Sequence, residues 1–262
     1  MEINLDKHVM KPDRQDILGI SVHVIDLEDA VQIISDWVEA DRRDQVCVVP
    51  AHTVMDALED SSLRKIINQS GLVTPDGMSI VWALKLFGRS GVGRVYGPDL
   101  MLACCRFGAA RGWKHFFLGS TKEVLEKLEF NLREDIPGLQ IAGKYAPPFR
   151  EKSSLESSEV IEKINRADPD LVWVGLGAPK QEYWIREHRG ELHASVMIGV
   201  GAAFDFLSGN KSQAPRWIQR SGLEWLYRFM QEPRRLWARY SQYPRFAVLL
   251  AGQLLGVYHP GE

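Results

Sequence analysis

One carboxylate in the sequence stands where general base chemistry is possible. Asp76 lies in a Pro-Asp-Gly turn that ends one apolar run and opens the helical pattern of residues 74–88. A carboxylate at the mouth of a parallel sheet can accept the proton of a substrate hydroxyl. The same residue type in such a turn also serves as a helix N-cap or an ordinary turn residue. Taken alone, this turn leaves both interpretations open.

Three glycine-containing loops could bind phosphate groups. Residues 116–124, 175–184 and 199–209 each pass from an apolar run through a glycine turn into a helical pattern. Glycine lets the backbone approach a phosphate, and the helix N-terminus that follows supplies N–H donors and a positive dipole. The predicted phosphate-binding residues are Gly119, Ser120, Gly175, Gly177, Lys180 and Gly201. Each loop by itself is also the ordinary turn of a βα unit.

Familiar cofactor and metal patterns are missing from the sequence. Lys180 stands where a third glycine would complete the dinucleotide-binding pattern begun by Gly175 and Gly177, which disfavours an NAD site. The Asp-Pro-Asp segment at residues 168–170 resembles a metal motif, but it precedes a strand and so falls at the sheet edge away from ligands. The three cysteines have no metal-like spacing. We therefore expect neither a metal nor another cofactor.

The alternation of apolar runs and amphipathic stretches predicts the scaffold that positions these loops. Residues 27–40, 120–135 and 154–167 have apolar side chains at i, i+3, i+4 and i+7, the pattern of amphipathic helices. The β-rich runs are residues 17–25, 45–49, 71–74, 114–119, 139–143, 170–177 and 195–201. This order predicts an α/β, Rossmann-like fold with a mainly parallel sheet and helices on both faces. The loops above would then meet at the carboxyl edge of the sheet.

The character of the chain changes after residue 213, where strand patterns end. Residues 214–245 contain seven arginines against two glutamates and are rich in aromatic residues. The apolar run at 246–257 is shorter than the ~18 residues needed to span a bilayer, so it could lie on a membrane but not cross it. We predict an α/β domain at residues 1–213 and a basic, aromatic helical appendage at 214–262. The alternative is a helical hairpin packed on the domain or on another subunit.

Charge and composition narrow the class of protein. The 262 residues carry 32 basic and 34 acidic side chains and a net charge of −2, so a nucleic-acid partner is not expected. A content of 45% hydrophobic and 25% charged residues is typical of a globular chain. The three cysteines form no disulfide pattern, and the N-terminus lacks the apolar stretch of a signal peptide. These features predict a cytoplasmic location.

Seven segments match, in order and spacing, the pattern of a known family. They are PDGMSIVW (75–82), RVYGPDLM (94–101), FFLGS (116–120), PDLVWVGLGAPKQE (169–182), IGVGAAFDFLSG (198–209), Ala-Pro-x-Trp (214–217) and GLEWLYRFMQEPRRLWARY (222–240). With them, the chain resembles the WecG/TagA/CpsF family of bacterial glycosyltransferases. The resemblance implies a metal-independent, inverting transferase that moves a sugar from a UDP-sugar donor to a polyprenyl-diphosphate-linked saccharide. It also implies a peripheral position on the inner face of the cytoplasmic membrane.

The resemblance assigns roles to individual residues. It places the catalytic aspartate of the family on Asp76, its donor-side arginine on Arg94 and its active-site glutamine on Gln181. Its basic appendage, expected to contact the acceptor diphosphate and the membrane, falls on the segment that contains Arg228, Arg234, Arg235 and Arg239. A homo-oligomer is compatible with this assignment.

One departure from the family pattern concerns the donor sugar. Many members have Thr-x-Asn at the end of the second strand, where this chain has Val48-Val49-Pro50. The loss of polar groups there favours UDP-glucose, as in the exopolysaccharide (GumM-like) branch of the family. The alternative donor is UDP-N-acetylmannosamine or its uronic acid. Two alternatives of other classes are a nucleotide-sugar-binding protein without turnover and an NAD-linked oxidoreductase.

Overall fold

The centre of the fold is a six-stranded parallel sheet. A computed structural model of the chain describes residues 12–148 and 158–260. The described strands are β1 (Arg14–Ile17), β2 (Ile20–His23), β3 (Asp44–Val49), β4 (Leu72–Pro75), β5 (Lys114–Gly119), β6 (Gln140–Tyr145), β7 (Leu171–Gly175) and β8 (Val196–Gly199). The large sheet has the order β4-β3-β8-β7-β5-β6, and all of its neighbouring strands are parallel. The predicted α/β class is confirmed.

Helices cover both faces of this sheet. They are α1 (Leu27–Glu39), α2 (Ala51–Glu59), α3 (Ser61–Asn68), α4 (Met78–Leu86), α5 (Gly97–Ala109), α6 (Lys122–Asp135), α7 (Ser158–Ala167), α8 (Lys180–His188), α9 (Ala203–Leu207), α10 (Arg216–Arg220), α11 (Glu224–Gln231), α12 (Pro233–Tyr240) and α13 (Tyr243–Leu254). The helices predicted from residues 27–40 and 120–135 correspond to α1 and α6. The helix predicted from 154–167 corresponds to α7 from residue 158, and its first four residues lie outside the described part of the chain.

Alternation along the strands builds a separate core on each face. In β3, Val46 and Val48 pack with α1, α5 and α6, whereas Cys47 and Val49 pack with α2, α3 and α4. Successive side chains of a strand point to opposite faces, so a continuous apolar run is what a strand buried on both sides requires. Because all six strands of this sheet run in parallel, the residues that follow the strands lie at one edge of the sheet, where turns and helix N-termini collect.

The prediction that residues 17–25 form one strand of the parallel sheet is wrong. The segment instead contributes to a small antiparallel hairpin, in which β1 pairs with β2 outside the parallel sheet. The turn is formed by Leu18 and Gly19, both with positive φ, 51° and 86°. Two residues of this conformation make the tight turn that matches strand twist. An apolar leucine at the first turn position hid the turn within the run.

The region after residue 213 is helical, as predicted, and one of its helices enters the core. Phe246 and Leu250 of α13 are buried in the same cluster as Val22, Val54 and Ile80 of the body. The amide side chain of Gln253, also in α13, accepts a hydrogen bond from the backbone N–H of Leu18 at 3.0 Å. Among the described residues, no helix has the length and apolar character that crossing a bilayer would require.

Candidate active site

A cavity of about 430 Å³ lies where the carboxyl ends of β3 and β4 meet the C-terminal helices. Its inner end carries the charged side chains of Asp76, Arg94, Glu224 and Arg228. Its outer part is lined by the apolar faces of α4 and α13. Ligands of open α/β sheets bind beyond the carboxyl ends of the strands, which is where this cavity lies.

Asp76 is the first residue after β4 and faces this cavity. Its backbone N–H donates to the Val49 carbonyl at 3.1 Å, which fixes the turn against β3. The N-cap of α4 is Gly77, with φ of 82°, so a residue without a side chain occupies the capping position. The Asp76 side chain is 19% exposed, and burial raises its pKa to about 6 although Arg94 opposes the shift. This geometry excludes the helix-cap interpretation and leaves a partly buried carboxylate aimed at open space.

Arg94 connects Asp76 to the C-terminal helices. Its Nε lies 3.9 Å from Asp76 Oδ1, and its Nη2 forms an ion pair with Glu224 at the start of α11. Its Nη1 donates to Gln219 Oε1 at 3.5 Å, and its guanidinium lies over the Tyr96 ring at 3.9 Å from the centroid. A guanidinium held flat against an aromatic ring is fixed in orientation and still has donors for an anion.

The four predicted arginines of the appendage occupy different surroundings. Arg228 projects from α11 into the cavity, and its guanidinium lies 5.2 Å from the Phe206 ring centroid. Arg239 of α12 donates to the Ala178 carbonyl at 3.4 Å and so reaches the loop between β7 and α8. Arg235 pairs with Glu232, and Arg234 is exposed. The structure thus brings Arg228 to Asp76 and Arg94, and leaves Arg234 and Arg235 on the outer surface.

Gln181 is buried at the N-terminus of α8. Its Oε1 accepts from the Gly201 N–H at 2.9 Å, and its Nε2 donates to Glu182 Oε1 at 2.9 Å. The bond to Gly201 ties the N-terminus of α8, which follows the loop after β7, to the loop after β8. Burial raises the pKa of Glu182 to about 7, so this neighbour carries a proton near neutral pH more readily than an ordinary glutamate. Gln181 therefore joins two glycine loops, and it is not among the residues that line the cavity.

The predicted glycine positions lie at the same edge of the sheet as Asp76, but at the ends of β5, β7 and β8 rather than at the end of β4. A Cβ on Gly119 would lie 2.6 Å from the Gly175 carbonyl oxygen, so the ends of β5 and β7 can touch only with glycine there. Gly177 and Gly201 have positive φ, 79° and 54°. Lys180 is exposed at the first position of α8. Within the described residues, none of the predicted glycines, Ser120 or Lys180 lines the cavity around Asp76.

The acidic pair at residues 168–170 lies at the opposite edge. Asp168 accepts from Lys114 Nζ at 2.8 Å, and Asp170 accepts from the Lys114 backbone N–H at 2.7 Å. Both lie at the amino ends of β5 and β7, away from the cavity, as predicted from their place before the strand. Across the described residues, no group of three or more histidine, cysteine, aspartate or glutamate side chains is arranged to hold a metal ion.

Comparison with known proteins identifies the family of the chain. The family described as "Glycosyl transferase WecG/TagA/CpsF family" matches residues 15–260. The chain belongs to this family. An N-acetylglucosaminyldiphosphoundecaprenol N-acetyl-beta-D-mannosaminyltransferase of Bacillus spizizenii is 31% identical over 193 residues, covering 74% of this chain and 73% of the relative. A protein of the same name from Staphylococcus aureus is 28% identical over 238 residues, covering 90% of this chain and 91% of the relative.

Glu224 and Tyr96 are cavity residues of this WecG/TagA/CpsF family member that the sequence analysis did not single out. Both belong to segments that carry the family resemblance, and both contact Arg94. Glu224 had a visible signal, because it is one of two acidic residues among seven arginines in residues 214–245. Tyr96 had no visible signal in the sequence, because its role depends on the Arg94 guanidinium that lies over its ring. Its hydroxyl is buried without a hydrogen-bond partner in the described part of the chain.

Proposed function

We propose that the protein transfers N-acetylmannosamine from its UDP derivative to N-acetylglucosaminyl diphosphoundecaprenol, with inversion at the transferred carbon. The observation that carries this proposal is the convergence of Asp76, Arg94 and Arg228 on one cavity at the carboxyl edge of the sheet, in a member of a glycosyltransferase family. The donor and acceptor follow the names of the two relatives described above. These names favour the N-acetylmannosamine donor over glucose.

The transfer is a direct displacement. Asp76 takes the proton from the acceptor hydroxyl while that oxygen forms a bond to the anomeric carbon of the donor sugar. The bond from this carbon to the β-phosphate oxygen breaks, and UDP leaves with an additional negative charge. Fixed cations and backbone donors stabilise this charge most when they are already positioned before the reaction. Arg94 is the cation that the cavity offers on the donor side, Arg228 is left for the acceptor diphosphate, and no step in this scheme requires a metal ion.

The raised pKa of Asp76 suits the role of a base. A carboxyl group with a pKa of about 6 is mostly ionised at pH 7 and is a stronger base than an ordinary aspartate. Its partial burial beside Arg94 also limits access of water, which would otherwise compete with the acceptor hydroxyl. Both properties follow from the position of Asp76 between β4 and the C-terminal helices.

The lipid-linked acceptor places the reaction at a membrane surface, which we propose is the inner face of the cytoplasmic membrane. The C-terminal helices present exposed Trp217, Met230 and Trp237, together with the arginines of α12. Aromatic and basic side chains on one segment are typical of reversible adsorption to anionic lipid. In this proposal the same helices bring Arg228 into the cavity and hold the enzyme on the lipid surface.

A second donor, UDP-glucose, rests on one specific observation. The end of β3 carries buried Val48 and Val49, followed by Pro50 in the cavity wall. These side chains offer no hydrogen-bonding group to an N-acetyl substituent. Glucose has no N-acetyl substituent, so a glucose donor would need no hydrogen-bonding group at that point.

The test is a screen of UDP release with full-length protein. UDP-N-acetylmannosamine, UDP-N-acetylglucosamine and UDP-glucose are each incubated with N-acetylglucosaminyl diphosphoundecaprenol in mixed micelles, with and without excess EDTA. We expect UDP and a disaccharide lipid only with UDP-N-acetylmannosamine, at the same rate in EDTA. Turnover with UDP-glucose alone would show that the donor is UDP-glucose. Loss of activity in EDTA would show that the transfer requires a metal ion. Donor binding without UDP release would indicate a nucleotide-sugar-binding protein.

A further inference from the structure

The outer part of the cavity is a groove between a helix of the body and the last helix of the chain. Its walls are Met78, Trp82 and Leu86 of α4 and Ala251 and Leu254 of α13. Every cavity-lining side chain that these two helices contribute is uncharged. We call this feature the α4/α13 groove. It is continuous with the inner end of the cavity, where all of the charged lining residues lie.

The walls of the groove are held in place by contact between the body and the appendage. Trp82 of α4 packs so closely on Gly222, before α11, that a Cβ there would lie 2.3 Å from the indole ring. Phe246 and Leu250 anchor α13 in the core beneath the groove. The groove is therefore a built feature with a fixed width, formed only when the C-terminal helices are docked.

The mouth of the groove opens among exposed apolar side chains. Leu86 is 65% exposed and Trp82 is 47% exposed on α4, and Leu254 of α13 is 37% exposed. These residues come from both walls, so the apolar surface belongs to the body as well as to the appendage. Side chains of this kind at the rim of a ligand groove mark contact with an apolar partner.

We propose that the α4/α13 groove binds the first isoprenoid units of the lipid acceptor. The proposal rests on the function proposed above. A lipid-linked polyprenyl diphosphate joins a doubly charged group directly to a long apolar chain. The cavity has the same order, with Arg228 at its inner end and the uncharged walls of α4 and α13 leading outwards. A volume of about 430 Å³ lies within the range of ~300–1,000 Å³ for small-molecule pockets, enough for a short part of the chain.

The groove explains how a base inside the protein could reach a sugar that is attached to a membrane lipid. With the acceptor diphosphate at Arg228, the chain passes between α4 and α13 and leaves through the exposed apolar mouth. The body helix α4 thereby becomes part of the surface that faces the lipid. Acceptors with an apolar chain next to the diphosphate should bind more tightly than those without one.

Ala251→Phe tests the groove, and Val248→Phe is its matched control. Ala251 lines the groove and is exposed, so a phenyl group there fills open space without disturbing the core. Val248 lies on the same helix, is 71% exposed and faces away from the cavity. Titration calorimetry with farnesyl diphosphate and with inorganic diphosphate measures the contribution of the chain without requiring turnover. Thermal unfolding of both variants confirms that they fold.

We expect the wild-type protein and Val248→Phe to bind farnesyl diphosphate about tenfold more tightly than inorganic diphosphate, the gain expected from roughly two buried methylene groups. Ala251→Phe should lose this difference and still bind inorganic diphosphate with wild-type affinity. If Ala251→Phe keeps the difference, or the wild type has none, the groove does not bind the chain. If only liposome binding changes, the groove is a membrane contact and the proposal is wrong.

Kinetics separates failure of this inference from failure of the proposed function. The KM for N-acetylglucosaminyl diphosphofarnesol should rise about tenfold in Ala251→Phe, whereas the KM for the same headgroup on a methyl ester should not change. The KM for the sugar donor should be unaffected in both variants. A wild-type enzyme that releases UDP but shows no preference for the farnesyl acceptor would overturn the groove alone. A wild-type protein without UDP release would overturn the function, while calorimetry still decides the groove.

Discussion

At Asp76, function and stability make opposite demands on one carboxylate. Burial raises its pKa in the folded protein to about 6, above the value of 3.8 for an ordinary aspartate. A group whose folded pKa is raised binds its proton more tightly in the folded state, so its ionisation at neutral pH destabilises the fold. A carboxylate kept in such a position despite this cost is typical of functional sites.

Asp76→Asn should therefore separate the two properties. We expect kcat to fall by roughly 10² to 10⁴, the usual contribution of a general base, with donor affinity unchanged. The unfolding temperature should stay the same or rise, because the amide is neutral. UDP release, donor titration and thermal unfolding measure these effects, with Asp135→Asn at the exposed end of α6 as the control. A near-wild-type rate would remove Asp76 from the mechanism.

Glu224 should set the pH range in which Asp76 works. The base must be ionised, so kcat/KM should decline as the pH falls through about 6. Burial is the main cause of the raised pKa, and the negative charge of Glu224 raises it further while Arg94 lowers it. Glu224→Gln removes the like charge and frees Arg94, so the acid limb of the pH profile should move to lower pH. An acid limb that stays in place, or moves upward, would show that Glu224 does not raise the pKa of Asp76.

At the level of elements, the two short helices α11 and α12 should have different tasks. Arg228 of α11 enters the cavity, whereas Arg234 of α12 is exposed. Arg228→Ala should lower kcat/KM for the lipid acceptor by about 10² or more, because a fixed positive charge that binds the acceptor diphosphate is lost. Arg234→Ala should leave kcat unchanged in detergent and weaken liposome binding slightly, since each basic residue near an anionic surface contributes about 1 kcal/mol. Equal losses of activity on the lipid acceptor in both variants would contradict this division.

Local sequence patterns predicted most of the helices and strands, but they could not predict contacts between residues that are distant in the sequence. The strands, the glycine turns and the place of Asp76 follow from periodicity and turn chemistry. The ion pair between Arg94 and Glu224 joins residues 130 positions apart, and only tertiary packing creates it. The same holds for Gln181, whose bond to Gly201 depends on β7 and β8 being neighbours. The family resemblance placed Gln181 in the site, but local sequence contains nothing that distinguishes a loop-bridging amide from one that faces a ligand.

For the molecule as a whole, the C-terminal helices are both a part of the core and a part of the site. α13 buries Phe246 and Leu250 against the body, and Arg245 beside them pairs with Glu59 of α2 at 2.7 Å. α11 supplies Glu224 and Arg228 to the cavity. Docking of these helices and completion of the site are therefore one event. The division into domains at residue 213 stays a prediction, and its test must measure folding as well as activity.

Removal of residues 222–262 should lower stability and abolish transfer together. Fully burying a side chain such as Phe246 or Leu250 contributes about 1.5–3 kcal/mol, so the truncated protein should unfold on the order of 10 °C lower. It should fail to sediment with anionic liposomes and release no UDP. Trp237→Ala is the matched control, since this side chain is 64% exposed on α12. It should weaken liposome binding while leaving the unfolding temperature and the rate in detergent unchanged. A truncated protein with the wild-type unfolding temperature and full activity on the lipid acceptor would show that the helices contribute neither to the core nor to the site.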